Sequence, residues 1–179
     1  MVSHNRQACS IARALEVVGE RWTLLVVRDA MLGVTRFDAF LKSLGVARNI
    51  LADRLSTLVE AGVFERVPYQ QRPLRHEYRL TDRGRELAPV VLALMEWGDR
   101  HRADEAGPPR LAEHENCGGP VRTEVHCARC GGPLTEAEIS TRLSPHYVAH
   151  RQRQGREVAT WPSDATAAAR RRRPGRRTR

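Results

Sequence analysis

Two short amphipathic helix patterns, separated by a glycine, constrain most strongly how this chain can fold. The first pattern is a helix whose apolar stripe consists of Phe37, Phe40, Leu41 and Leu44. Gly45 breaks this helix, and a second one begins near Ala47. The apolar stripe of the second helix consists of Leu51, Leu55, Leu58 and Val59. Two short helices joined by a tight glycine turn are typical of a helix-turn-helix unit.

Two extended segments follow the second helix and predict a small sheet. Residues 63–67 and 76–80 have strand character, whereas residues 68–75 between them are too long and too polar for a tight hairpin. We therefore predict a winged helix-turn-helix, a mainly α fold with a small β wing (α+β). Its second helix could enter a major groove of DNA while the basic wing reaches the backbone or the minor groove.

Further helices are predicted on both sides of this unit. The first runs from about Ser10 to Val18 with Ile11, Leu15 and Val18 facing inward, and the next begins near Trp22. The residues of this second helix expected in the core are Trp22, Leu25, Val26 and Leu32. Thr81 is placed to cap one long last helix, roughly 82–101, with an apolar series of Leu87, Val91, Leu94 and Met95.

Several motifs between Cys9 and His101 occur in the order typical of one family. They are Cys9-Ser-Ile, Gly19-Glu-Arg-Trp-Thr, Arg28-Asp-Ala-Met-Leu-Gly-Val-Thr-Arg-Phe, Leu51-x-x-Arg-Leu-x-x-Leu, Ala61-Gly-Val and Arg75-x-Glu-Tyr-x-Leu-Thr. This stretch, about half of the chain, resembles the HxlR-type winged-helix transcriptional regulators. One departure is Ala47, where relatives often have a serine that caps the recognition helix. The resemblance implies a homodimer formed through the first and last helices, and thus an inverted-repeat operator.

Composition divides the chain into five regions. We expect a flexible N-terminus (1–8), a DNA-binding and dimerisation domain (9–103), a linker (104–110), a small zinc-ribbon-like Cys/His element (111–143) and a largely disordered tail (144–179). The net charge is +9, and the last ten residues hold seven Arg and no acid. This tail either holds DNA nonspecifically or is simply solvated. Without a membrane span or signal-peptide pattern, we expect a cytoplasmic protein with no membrane partner.

The polar face of the second helix and the basic wing are the candidate DNA-binding surface. The helix supplies Arg48, Asn49, Ala52, Asp53, Arg54, Ser56 and Thr57, and the flanking cations are Arg36, Arg72 and Arg75. Arginine suits guanine and asparagine suits adenine, so Arg48 and Asn49 could read base edges. Arg54 lies nearer the buried edge and could anchor structure or a phosphate. The alternative is that this is merely a solvated helix face.

Three cysteines and a histidine in the C-terminal region form a candidate zinc site. The segments His114-x-x-Cys117-Gly-Gly-Pro and Cys127-x-x-Cys130-Gly-Gly-Pro repeat each other, and each offers two ligands two residues apart. Four such ligands would suit one tetrahedral zinc ion per chain. His126 is an outside candidate to replace His114. The alternative is a reduced cysteine pair that binds no metal.

Cys9 stands apart from the other cysteines, next to the first helix. The resemblance implies that a cysteine here can sense oxidants or electrophiles, for which the thiolate is the reactive form. The alternative, which we favour, is a small packing residue at a dimer seam.

The function favoured by the sequence is a DNA-binding transcriptional regulator that responds to a redox or small-molecule signal; we expect a repressor, and an activator is the alternative. No Ser/His/Asp, paired-carboxylate or phosphate-loop arrangement suggests an enzyme. The competing hypothesis is a non-catalytic interaction module, in which the winged helix binds protein and the zinc-binding tail docks a partner.

Overall fold

The elements follow the order expected of a helix-turn-helix with a wing. A computed structural model describes residues 9–155, and it contains α1 (Ser10–Val18), α2 (Thr23–Met31), α3 (Phe37–Leu44), α4 (Arg48–Glu60), β1 (Phe64–Gln71), β2 (Leu74–Leu80), α5 (Asp82–Arg85), α6 (Ala88–Arg102), a 3-10 turn (Glu136–Glu138) and α7 (Pro145–Arg153). Of these residues, 10–123 form one compact unit, and 124–155 together with Cys9 form another. None of these helices is long and apolar enough to cross a membrane.

The core of the first unit is built on α4. The buried stripe of this helix is Leu51, Leu55 and Leu58, and it packs with α2, α3 and the start of β1. The core formed in this way consists of Val26, Val27, Phe40, Leu51, Leu55, Leu58, Val63 and Phe64. Phe40 and Phe64 meet edge to face with ring centroids 6.5 Å apart, a favourable aromatic geometry. Burial of this stripe fixes the opposite face of α4 toward solvent.

The turn between α3 and α4 forms as predicted. Gly45 adopts a left-handed conformation (φ 61°), and its N–H donates to the Leu41 carbonyl to close α3. Helix α4 then begins after Ala47, which is extended and provides no side-chain cap. Glycine thus reverses the chain within three residues and positions the N-terminus of α4.

The wing is a longer hairpin than predicted. Strands β1 and β2 pair antiparallel from Phe64↔Leu80 to Gln71↔Leu74, so the segment expected to be a loop is mostly strand and turns at Arg72–Pro73. The prediction of a long loop was wrong because strand residues near an exposed hairpin tip need no buried face and remain polar. The Tyr78 N–H donates to the Thr35 carbonyl (2.7 Å) and ties the wing to the start of α3.

The predicted long last helix is two helices. Thr81 caps α5 as predicted, accepting from the Gly84 N–H at 3.1 Å, but the helix ends at Arg85. Pro89 explains the new start, because proline lacks the N–H needed inside a helix yet suits its first turn.

Several apolar residues predicted to face inward are exposed in the single chain. Ile11 and Leu15 of α1 are 71% and 51% exposed, and Leu94 of α6 is 52% exposed; Leu32 is also exposed. Ala12 is the residue of α1 that is buried. Periodicity correctly identified apolar helix faces, but it does not say whether the same chain covers them.

In the second unit, α7 corrects the prediction that disorder begins at residue 144. Pro145 opens this helix, in agreement with the preference of proline for a first turn. The predicted flexible N-terminus (1–8) and residues 156–179 of the Arg-rich tail lie outside the described residues.

Candidate nucleic-acid interface and cysteine knuckles

The N-terminal half of α4 presents a polar face to solvent. Arg48, Asn49, Ala52 and Asp53 are all exposed, and their spacing places them on one side of the helix. These side chains include donors and an acceptor of the kinds that read base edges. These side chains are therefore accessible to a partner from solvent.

Two arginines of this surface form ion pairs with Asp38 and Glu77, which were not predicted as site residues. The Arg48 guanidinium lies 3.0 Å from the Asp38 carboxylate and covers the Phe37 ring at 5.1 Å. Arg36 lies 3.6 Å from Glu77. Arg79 bonds the same carboxylate and, with Arg36, holds the pKa of Glu77 below its ordinary value. No local motif signals these pairs, because they join residues distant in sequence.

A cleft of about 530 Å³ lies between the start of α3, the start of α4 and the wing. Its lining includes Arg36, Arg48, Arg75, His76, Asp38 and Tyr69. The Arg36 guanidinium covers the Tyr69 ring at 4.6 Å. Arg72 is exposed at the hairpin turn. A groove with this many cations suits a phosphate backbone.

The remaining candidates on α4 are less exposed than this polar face; they are Arg54, Ser56 and Thr57. The Arg54 side chain is only 18% exposed and lies 3.6 Å from Glu20. Ser56 donates to Glu60, and Thr57 donates to the Asp53 carbonyl. The hydroxyls of Ser56 and Thr57 are thus engaged within the protein, and the largely buried Arg54 has the geometry of a structural anchor.

The two cysteine segments have the same backbone fold. In the first knuckle (residues 112–121), the His114 N–H donates to the Gly119 carbonyl and the Gly118 N–H to the His114 carbonyl. In the second knuckle (residues 125–134), the bonds from Cys127 to Gly132 and from Gly131 to Cys127 repeat this pattern thirteen residues later. Gly118 and Gly131 have positive φ angles of 67° and 73°, so the turn requires glycine there.

In the first knuckle the side chains of His114 and Cys117 lie close together, whereas in the second knuckle hydrogen-bond donors surround the Cys127 thiol. His114 Nδ1 lies 3.2 Å from Cys117 Sγ. The N–H groups of Cys130 and Arg129, followed by the Cys130 thiol, lower the pKa of Cys127.

Cys9 is half-buried immediately before α1, and all four cysteines are free thiols. Within residues 9–155, no three His, Cys, Asp or Glu side chains are grouped closely enough to hold a metal ion.

Shortly after the first knuckle, Thr123 is held by Glu96 of α6. Glu96 accepts bonds from the Thr123 hydroxyl (2.6 Å) and the Thr123 N–H (3.1 Å). These bonds, together with Arg100 and Arg122, hold the pKa of Glu96 below its ordinary value. A cavity of about 370 Å³ lies between α6 and residues 108–123.

An exposed recognition-type helix beside a basic two-stranded wing defines a winged helix-turn-helix protein of the DNA-binding class. The HxlR-like helix-turn-helix family matches residues 17–106. The chain belongs to this family of transcriptional regulators, as its motifs predicted.

Similar proteins agree with this assignment. Rv3095 of Mycobacterium tuberculosis, an uncharacterized HTH-type transcriptional regulator, is 43% identical over 83% of this chain and 94% of its own length. The crystal structure of PA1607, a candidate transcription factor, is similar with a TM-score of 0.70 and 42% identity over 80% of this chain and 99% of that one. The oxidized redox regulator HypR has a TM-score of 0.50 and 32% identity over 54% of this chain and all of its own.

Proposed function

We propose that this protein is a homodimeric repressor that recognises an inverted-repeat operator, and the open polar face of α4 carries the proposal. Arg48 and Asn49 would read base edges, and the Ala52 methyl group would meet a thymine methyl. Asp53 offers an acceptor suited to a cytosine amine. Ser56 and Thr57 donate to acceptors within the protein, so they would contact the sugar-phosphate backbone only by exchanging those bonds. No catalytic step is part of this function.

The wing and the cleft would bind backbone rather than bases. Arg36, Arg72 and Arg75 surround the route that a phosphate strand would take beside α4. Such contacts strengthen binding to any sequence and make it sensitive to salt. Arg54 would act indirectly by holding α4 in place.

Two apolar helix faces support a homodimer. Ile11 and Leu15 of α1 and Val90, Leu94 and Trp97 of α6 are exposed. Large exposed apolar patches mark interaction sites, and family membership favours a second copy as the occupant. Two α4 helices would then contact half-sites about 34–36 Å apart.

A redox signal at Cys9 is the regulation we propose, in place of the packing role that the sequence alone favoured. Support comes from the half-buried thiol at the start of α1, beside the proposed dimer contact, and from the similarity to HypR, a redox regulator. A peroxide would oxidise the Cys9 thiol to a sulfenic acid and be reduced to water or an alcohol; this change next to α1 would alter the separation of the two α4 helices in the dimer. If Cys9→Ser leaves oxidant-dependent DNA binding unchanged, this part of the proposal fails.

Fluorescence anisotropy tests the central claim. The reduced protein is titrated with duplexes from its own upstream region and with a scrambled duplex, at about 150 mM salt. We expect a preference of about 10³-fold or more. Arg48→Ala should reduce affinity for the operator about 10- to 100-fold and relax its base preference, whereas the exposed Arg102→Ala serves as a control.

Two further variants separate the alternatives. Arg72→Ala should lower the salt slope by about 1 without altering base preference. A chain cut before Arg170 removes nonspecific binding by the tail. If neither the full chain nor this truncation binds any duplex, the interaction-module function replaces the regulator.

A further inference from the structure

We propose that the cavity between α6 and residues 108–123 binds a small lipophilic amine in its protonated form. The apolar wall would hold the hydrocarbon part of the ligand, and Asp99 and Glu113 would pair with its ammonium group. This site requires neither DNA nor a second copy of the chain. The proposal is therefore independent of the function proposed above.

The size and lining of the cavity suit a small organic molecule. Its volume of about 370 Å³ lies within the range of ligand pockets, roughly 300–1,000 Å³. Such pockets are mainly apolar and contain a few polar groups that orient the ligand. In this cavity, α6 contributes Leu92 and Met95, and the facing segment contributes Leu111, Pro120 and Val121.

Hydrogen bonds hold the two walls of the cavity together before any ligand binds. Thr123, at the end of the facing segment, donates twice to Glu96 of α6, at 2.6 and 3.1 Å. Within the segment, the Val121 N–H donates to the Ala112 carbonyl at 2.8 Å. A preformed site binds its ligand more tightly, because less free energy is lost in ordering the protein.

The charges around the cavity favour a cation over an anion. Arg100 lies 3.0 Å and Arg122 3.6 Å from the same oxygen of Glu96, so both guanidinium groups already face a carboxylate. Asp99 and Glu113 also line the cavity, and their side chains have no partner among residues 9–155. The lining therefore has three carboxylates and two guanidinium groups, and the two carboxylates without a partner can pair with an ammonium group.

The cavity and the proposed dimer contact lie on opposite sides of α6. Leu92, Met95 and Asp99 line the cavity, whereas Leu94 and Trp97 are exposed apolar residues. The helical spacing places these two groups about half a turn apart. A ligand could then enter beside a bound second copy, and substitutions in the cavity leave the proposed dimer face unchanged.

NMR titration of the isotope-labelled full-length protein, without DNA, tests the site. The probes are naphthylmethylamine, the neutral naphthylmethanol and the anionic naphthylacetate, which differ mainly in charge. The amine should shift the amide signals of α6 and residues 111–123 with a Kd on the order of 1 mM or lower, and those of α4 should stay unchanged. It should bind about 5-fold or more tightly than the alcohol, and the anion should bind most weakly.

Matched variants test the role of the two carboxylates. The double variant Asp99→Asn with Glu113→Gln should lose the preference for the amine over the alcohol and still bind the alcohol. Glu65→Gln removes an exposed carboxylate of β1 and should keep the preference. Val121→Trp fills the cavity and should weaken binding of the amine and the alcohol alike.

The amide spectrum of each variant shows whether the winged-helix unit remains folded. If no probe shifts the signals of α6 and residues 111–123 at about 10 mM, the site is overturned. If naphthylacetate binds as tightly as the amine, or if the preference for the amine survives in the double variant, the assigned class of ligand is wrong. Because the titration contains no DNA, either failure leaves the proposed regulator function untouched.

Discussion

At the start of the recognition helix, Ala47 leaves the first N–H groups of α4 without a side-chain acceptor. Its backbone is already extended (φ −63°, ψ 143°), the conformation in which serine caps a helix. We expect Ala47→Ser to raise the free energy of unfolding by about 1 kcal/mol, measured by urea denaturation. Ala52→Ser, inside the same helix, should be neutral or slightly destabilising; equal gains in both variants would argue against capping.

At the scale of single residues, burial could be predicted from the sequence, whereas ion-pair partners could not. The buried stripe of α4 could be predicted from its spacing, because burial of a helix face leaves a periodic pattern. The partners of Arg48 and Arg36 could not, because Asp38 and Glu77 meet them only after the chain has folded. Arg54 was correctly placed near the buried edge, but its partner Glu20 left no sequence signal.

Among the elements, α5 approaches the chain at Val63 so closely that only glycine fits at position 84. A Cβ there would overlap the Val63 carbonyl oxygen. We expect Gly84→Ala to lower the free energy of unfolding by about 1–3 kcal/mol. In α6, Gly98 has no neighbour within 4 Å of an added Cβ, so Gly98→Ala should instead be stabilising, by about 1 kcal/mol. Urea denaturation of both variants compares the two sites, and similar changes would contradict the close contact.

The Glu96–Thr123 anchor makes the attachment of residues 111–123 to α6 dependent on pH. The folded-state pKa of Glu96 lies below its ordinary value of 4.5, so the anchor contributes fully above that pH. Its contribution is lost as the pH falls through the lowered pKa. Glu96→Gln should reduce protection of the Thr123 N–H in hydrogen exchange at neutral pH, whereas Glu86→Gln should not. Unchanged protection in Glu96→Gln would show that the carboxylate does not hold this segment.

The wing and the last helix explain why element boundaries were the weakest predictions. Polar residues 68–75 carry no hydrophobic alternation, yet backbone pairing alone extends both strands to the turn. The apolar period that suggested one helix over 82–101 continues across a break that Pro89 imposes. Both errors arise because the side-chain pattern indicates which residues are buried, whereas backbone hydrogen bonds determine where a strand or helix begins and ends.

For the whole molecule, a charge on the exposed face of α6 tests the proposed dimer. Leu94→Glu should convert a particle of twice the 20.2 kDa chain mass into a monomer by light scattering, because the glutamate would be desolvated at the seam. The variant should also lose cooperative binding to a full inverted repeat. Ile139→Glu changes another exposed apolar residue and should remain dimeric. A wild-type protein that is already monomeric at the concentrations that bind operator would disprove the assembly.

At this scale the sequence predicted the class of fold well, because several independent patterns occur in the correct order. The division of the chain was harder to predict. The boundary between the compact units falls after Thr123, within the proposed 111–143 element, and α7 lies where disorder was expected. Short segments with few apolar residues give too little periodicity to locate such boundaries.

Arg48 is already paired with Asp38, and Arg36 with Glu77. Any duplex that binds these arginines must therefore compete with the two carboxylates. In the proposed complex, a base that takes Arg48 leaves Asp38 near the negatively charged backbone without its cation. A well-matched contact compensates for that exchange, whereas a mismatched one leaves repulsion. Discrimination between DNA sequences would then depend on the carboxylates that never touch a base as much as on the arginines that do.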